Sequence, residues 1–305
     1  MTTPSILVIG SLNADLISTT SRLPAAGETL HARSFHTAPG GKGANQALAC
    51  ARLSRAPSHN VRMLGAVGTD SFGPMLTSTL AASGVDVSGV ATVAGATGTA
   101  VIIVDESSGE NRILIHAGAN GTVGASTQLG DAAAVVLQLE IPVATVLAVL
   151  QRARAAGVAT VFNPAPAVAL PESVWPDVDW LVVNETEAAI LTGVDVSALD
   201  EKDGVERAAK AFLERGVGAV VVTLGGRGCY WATKVGEHGW EAVSVRKEDV
   251  VDTTGAGDTF VGGLTVAVVE GRSAAESVLF ASKASASAVQ KSGAMAGVPW
   301  RREIE

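Results

Sequence analysis

Short apolar runs rich in β-branched residues recur along this chain, each pair separated by an alanine-rich stretch. This alternation limits the fold more than any other feature. The runs at 6–10, 61–66, 135–139, 160–163, 180–183 and 220–223 are short and mostly apolar, as expected of strands covered on both faces. Helical spacing fills the intervals at about 41–53, 71–82, 143–156, 185–191 and 205–215, and two more helices close the chain near 256–269 and 274–289. In the first of these, Ala44, Ala47, Leu48 and Ala51 share one face. Strands that alternate with helices predict an α/β fold, a mostly parallel central sheet with helices on both faces. Two segments, 16–35 and 98–115, are extended, more polar and lack a helix between their halves. They read either as ordinary loops or as a small antiparallel subdomain beside the main sheet, where a lid over an active site is one use. No internal repeat, low-complexity tract or linker divides residues 1–305, so one compact unit is expected.

The chain is 47% hydrophobic, ample for a large core, and carries 22 Lys and Arg against 30 Asp and Glu, a net charge of −8. An acidic chain without a basic cluster is a poor partner for nucleic acid, whose affinity rests on phosphate neutralisation. A small anionic ligand is still open to it through helix N-termini. Cys50 and Cys229 lie in apolar contexts, and buried free thiols are expected rather than a disulfide. The first ten residues lack a basic leader pattern, and Gln138, Glu140 and Pro142 interrupt the most membrane-like stretch, 132–150. A soluble, cytoplasmic protein is expected.

Two glycine-rich motifs carry chemistry. The stretch His36–Gln46, HTAPGGKGANQ, looks like a phosphate loop but fails that signature. The first glycine position is His36, and Gly43 follows Lys42 where a hydroxyl is required. The stretch 251–260, VDTTGAGDTF, opens a helix. Gly255, Ala256 and Gly257 allow a tight turn that points amides outward at the helix N-terminus, a site for an anion or for a phosphoryl group in transfer. Asp258, in the first turn, would be repelled by phosphate as a ligand but suits a base that takes a proton from an attacking hydroxyl. Taken alone, it reads more readily as a first-turn acid that complements the helix dipole. Asn13 and Asp15 follow the first strand and point the same way, a pair suited to vicinal hydroxyls or to a simple Asx turn. Asn184 and Glu187 have the spacing of a helix capping box.

Together, the two glycine motifs resemble those of the ribokinase (PfkB-type) family of sugar kinases. Further matches run in order through the chain: GSLNAD at 10–15, HAGAN at 116–120, QLE at 138–140, NPAP at 163–166, NETE at 184–187, TLGGRG at 223–228 and VPW at 298–300. The resemblance implies a three-layer α/β/α sandwich with a small β-sheet lid from about 14–38 and 97–116. It implies transfer of phosphate from ATP to O5 of D-ribose. Asn13, Asp15, Gly41, Lys42, Asn45 and Glu140 would hold the sugar, with Asp258 as base and Gly255, Ala256 and Gly257 as anion hole. Asn184, Thr223, Gly225 and Gly228 would bind the nucleotide, and Glu187 would organise magnesium through water. A potassium ion would sit mainly on backbone carbonyls at Asp252, Thr254, Ala288, Lys291 and Gly293. The family serine that also ligates this ion aligns with Gly297 here, so one ligand is lost. Homodimerisation through the lid is the family's common arrangement.

Rival chemistries lack support. His31, His36, His59, His116 and His238 are scattered without metal-ligand spacing, and no Gly-x-Ser-x-Gly elbow or full dinucleotide fingerprint occurs. Other kinases of this family, acting on deoxyribose, a nucleoside, fructose or a keto-sugar acid, are the nearest alternatives. A sugar-binding regulator without catalysis is a more distant one.

Overall fold

The computed structural model describes residues 5–55, 61–107, 111–126 and 128–305; His59 lies outside them. The chain begins with β1 (Ser5–Ile9), β2 (Asn13–Thr20), β3 (Ser34–Gly40), α1 (Lys42–Leu53), β4 (Val61–Val67), α2 (Phe72–Ala82) and β5 (Asp86–Thr92). It continues through β6 (Gly98–Asp105), β7 (Asn111–His116), β8 (Ala132–Leu137), α3 (Val143–Ala156), β9 (Ala159–Phe162), β10 (Trp180–Asn184) and α4 (Glu185–Thr192). Last come α5 (Lys202–Glu214), β11 (Ala219–Thr223), β12 (Cys229–Thr233), β13 (His238–Glu241), α6 (Ala256–Val269) and α7 (Ala274–Ala288).

Nine strands form the central sheet in the order β13-β12-β11-β10-β9-β8-β1-β4-β5. All neighbours are parallel except at one edge, where β12 runs antiparallel to both β11 and β13. The pleat sends successive side chains to opposite faces. Leu7, Ile9, Val135, Leu137, Val220 and Val222 enter one core with α3, α4 and α5. Ile6, Val8, Val136 and Val221 enter the other with α1, α2, α6 and α7. This is the expected three-layer sandwich. The chain order reverses between β1 and β8, the place where open α/β sheets leave a crevice at the carboxyl ends of their strands.

A second sheet of four strands, β3-β2-β6-β7, is built from the two irregular segments. It is not purely antiparallel: β2 and β6 pair in parallel, residue for residue from Asn13–Gly98 to Thr20–Asp105. Both segments leave the main sheet in the same direction, so their first strands lie parallel and only the return strands β3 and β7 are antiparallel. Apolar side chains are exposed on both faces of this second sheet, Phe35 and Leu114 on one and Ile113 and Ile115 on the other, which Asp15 shares. Both cysteines are free and buried, and burial pushes each thiol up to about 12. Among the described residues, no helix is long and apolar enough to cross a membrane.

Helices α1 and α6 lie against each other unusually closely. A Cβ at Gly262 would collide with Ala49 Cβ and come within 3.0 Å of the backbone of Ala49 and Cys50. Cys50 Sγ lies 3.7 Å from the Gly262 carbonyl. We expect Gly262→Ala to cost about 1–3 kcal/mol of stability, the usual penalty for overpacking a tight core, as a lower midpoint in urea unfolding.

Candidate active site

The α1–α6 contact carries the N-terminal glycine motif to the C-terminal one. Asp258 is buried in the first turn of α6, and both its oxygens accept hydrogen bonds from α1. Asn45 Nδ2 donates to Oδ2 and Gln46 Nε2 to Oδ1, each at 2.9 Å. The helix starts on Gly255, whose φ of 76° is a left-handed value and whose missing Cβ admits Ala294 Cα. No side chain caps it. The Ala256 amide turns to the Thr253 carbonyl at 3.2 Å, which leaves the amides of Gly255, Gly257 and Asp258 without a backbone acceptor among the described residues. Space beside Gly257 is open, since an added Cβ would meet nothing within 4 Å.

At the β1/β8 crevice, Glu140 ties three elements together. Its Oε2 accepts from Ser11 Oγ (2.5 Å), Asn13 Nδ2 (3.3 Å) and the Lys42 amide (3.0 Å), so Oε1 is the atom left for a ligand. Asn13 Oδ1 accepts in turn from Asn120 Nδ2 at 2.7 Å. Asn120 also pairs with both the amide and the carbonyl of Leu12, locking the turn that leads into β2. Asp15 lies two residues along β2, with Gly40 packed directly against its carboxylate.

One cleft of about 220 Å³ is lined by Lys42, Asn184, Glu187, Thr223, Gly255, Gly257 and Asp258, together with Asn163 and the ends of β10. Residues read from four separate motifs therefore face a single space. Asn184 and Glu187 do form the capping box of α4: Asn184 Oδ1 accepts the Glu187 amide at 2.8 Å, and Glu187 Oε2 accepts the Asn184 amide at 2.9 Å. Capping uses one Glu187 oxygen and leaves the other, so a ligand role is compatible with it. The glycine turn at 225–228 is braced by Arg227, which reaches Glu185 and the carbonyls of Leu199 and Asp200.

Residues 3–301 match the pfkB family carbohydrate kinase model. The chain belongs to this family. A ribokinase of Schizosaccharomyces pombe is 41% identical over 311 residues, covering 99% of this chain and 96% of that protein. A deoxyribokinase of Salmonella typhi is 38% identical over 265 residues, 84% of this chain and 83% of that one. The solved structure of Arabidopsis thaliana ribokinase complexed with ribose and ATP superposes with a TM-score of 0.89 at 32% identity, covering 99% and 97% of the two chains.

The carbohydrate kinase concentrates charge in this cleft. Burial raises Asp15 to about 7, and the charges of Glu140 and Asp258 add to the effect. Burial likewise lifts Glu187, helped by Asp258 and opposed by the Asn184 amide and Lys42. Burial works to lower Lys42, but Asp258, Glu140 and Glu187 outweigh it and hold the ammonium charged. Ahead of α6, Asp252 ties its own turn to Gly293: its Oδ1 accepts the Thr254 amide at 2.9 Å and its Oδ2 the Gly293 amide at 2.8 Å. The carbonyl oxygens of Ala288, Lys291 and Gly293 converge on Gly297, lying 3.3, 3.4 and 2.8 Å from where its Cβ would be. The Lys291 side chain points away to Glu303, so its carbonyl alone faces this pocket.

Reading the sequence missed Ser11, Gln46, Asn120, Gln138, Asn163 and Arg227 as contributors. All six fall inside the motif strings quoted for the resemblance or next to them, and that position was the available signal.

The Asp15 shift has a definite sign for stability. Its pKa is higher folded than unfolded, so the folded protein binds the extra proton between about 4 and 7 and loses stability as pH rises through that range. Asp15→Asn removes the buried charge. We expect its Tm to exceed the parent's by roughly 3 °C or more at pH 8 and by little at pH 4.5, as read by calorimetry.

Proposed function

We propose that this kinase transfers the γ-phosphoryl group of ATP to O5 of D-ribose, giving D-ribose 5-phosphate and ADP. The observation that carries the reading is the single cleft in which Lys42, Asn184, Glu187, Thr223, the α6 N-terminus and Asp258 meet. The ribokinase relatives supply the sugar and the donor.

In this mechanism Asn13, Asp15, Gly41, Lys42, Asn45 and the free oxygen of Glu140 hold the sugar hydroxyls. Asn45 Oδ1 suits this role, being buried with no protein partner. The small sheet serves as a lid that excludes water. Asp258 takes the proton from the 5-hydroxyl as its oxygen attacks phosphorus; the new O–P bond forms in line while the bond to the ADP oxygen breaks. Charge on the group in transfer is met by the amides of Gly255 and Gly257 and by the helix dipole, with Ala256 shaping the turn. Asn184, Thr223, Gly225 and Gly228 hold the nucleotide. Magnesium, organised by Glu187 through water, supplies neutralisation of the phosphate charge when bound. The carbonyls of Ala288, Lys291 and Gly293, which converge near Gly297, would hold potassium together with those of Asp252 and Thr254; Gly297 adds no side-chain ligand.

A deoxyribokinase relative keeps 2-deoxyribose as a second acceptor to be compared. ATP consumption over a panel of ribose, 2-deoxyribose, fructose and nucleosides, with and without potassium, should be fastest with ribose and stimulated by the ion. Preference for another sugar would overturn the acceptor, and ribose binding without turnover would identify a regulator. Asp258→Asn should lose at least ~10²-fold in kcat, the scale of general base catalysis, with ribose affinity retained by calorimetry. The variant is structurally mild because Asn45 can turn its unpaired oxygen to the new amide.

The face of the small sheet that exposes Phe35, Val101 and Leu114 fits a second copy of the chain in a homodimer. Leu114→Arg should then halve the mass measured by sedimentation equilibrium, and an unchanged mass would place the interface elsewhere.

A further inference from the structure

Gln46 is wholly buried, and every polar atom of its amide is engaged. Its two N–H bonds go to Asp258 Oδ1 at 2.9 Å and to Asn163 Oδ1 at 3.1 Å, and its Oε1 accepts Gln138 Nε2 at 2.6 Å. The direction of this chain of amides is dictated at both ends. It terminates on the backbone carbonyl of Val182, which only accepts, so Asn163 must present Nδ2 there, at 2.9 Å, and turn Oδ1 toward Gln46. An ionised Asp258 also only accepts. Gln46 must therefore donate in both directions and receive Gln138 on its oxygen. Gln138, Asn163 and Val182 belong to or follow the adjacent strands β8, β9 and β10, so the middle of the central sheet sets this geometry.

The charges facing Asp258 make such an anchor necessary. Lys42 on α1 attracts its carboxylate, while Asp15 on β2 and Glu187 on α4 repel it. A carboxylate free to turn would swing toward the Lys42 ammonium, and a base paired to an ammonium accepts a proton poorly.

We propose that Gln46, oriented by Asn163 and Gln138, is a positioning residue for phosphoryl transfer. It fixes the rotation of the Asp258 carboxylate, and hence the lone pair offered to the attacking hydroxyl, without touching sugar or nucleotide. This rests on Asp258 being the base.

The test is steady-state kinetics of Gln46→Leu in the full-length enzyme with D-ribose and magnesium ATP. Its kcat should fall about 10-fold or more, as small misplacements of reacting groups do, while KM for both substrates stays within about twofold. In the Asp258→Asn background, Gln46→Leu should cause no further loss, because both changes remove the same function. A folded Gln46→Leu enzyme with parental kcat overturns the proposal, and so does a loss that multiplies with that of Asp258→Asn. Should Gln46→Leu fail to fold, Gln138→Leu frees the Gln46 oxygen and is judged by the same two criteria. Full turnover by Asp258→Asn alone is a different result: it removes the base assignment first, and this proposal with it.

Discussion

Two amide hydrogen bonds, from Asn45 and Gln46 to Asp258, join residues 213 and 212 positions apart, and the rest of the site depends on them. They are possible only because α1 and α6 approach until Gly262 touches the backbone of α1. That approach is a property of the core on one face of the sheet, where Ala44, Ala47, Leu48, Val261 and Leu264 pack together. Small residues at the crossing bring the two helix starts into one cleft. A bulkier core would keep the fold and separate the sugar end from the phosphoryl end. Packing that looks purely structural thus sets the reach of the chemistry.

The same cleft shows what function costs in stability. Three carboxylates, Glu140, Glu187 and Asp258, act on the ammonium of Lys42, and a fourth, Asp15, lies beside them within the field of Glu140 and Asp258. Each is tied in a different way. Glu140 is held by three donors on one oxygen, Glu187 by the cap it makes with Asn184, and Asp258 by two side-chain amides. Asp15 has least compensation, and its carboxyl is driven up to about 7. A strained acid of this kind marks a group kept for a ligand's hydroxyls rather than for the fold. Ribose hydroxyls would supply the donors that the protein does not.

How much of this was legible beforehand follows from the range of each interaction. The strands β1, β4, β8, β9, β10 and β11 are predominantly apolar because both faces are covered, and their residues announce it. The segments β5, β12 and β13 lie toward or at the sheet edges and include half-exposed positions such as Ser88, Thr233 and Gly239, so their pattern was too mixed to stand out. The parallel pairing of β2 with β6 could not be read at all, since it depends on where both segments leave the main sheet. In the site, the glycine motifs and their acids were visible through local spacing. Gln46, Asn120 and Asn163 were not, because an amide buried between strands shows its role only through partners distant in sequence. The capping box at Asn184 was visible and real, yet its pattern alone did not say that Glu187 also faces the cleft.

Two glycine-led helix starts meet in this cleft, and their amides explain why only one of them suits phosphate. At α1, the Lys42 amide is bonded to Glu140 Oε2, the Gly43 amide to Ser11 Oγ, the Ala44 amide to the Ser11 carbonyl and the Asn45 amide to the Gly41 carbonyl. The positive end of α1 already holds a carboxylate, and a second anion there would meet no free donor and a like charge. At α6, no side-chain cap is present, and the amides of Gly255, Gly257 and Asp258 have no backbone acceptor among the described residues. The resemblance of GGKGAN to a phosphate loop is therefore one of composition. Its glycines let α1 start against Ser11 and Glu140, which brings Lys42 and Asn45 to the proposed sugar end of the cleft. The anion-binding power of a helix N-terminus stays unspent at α6, beside Asp258, the carboxylate proposed as the base.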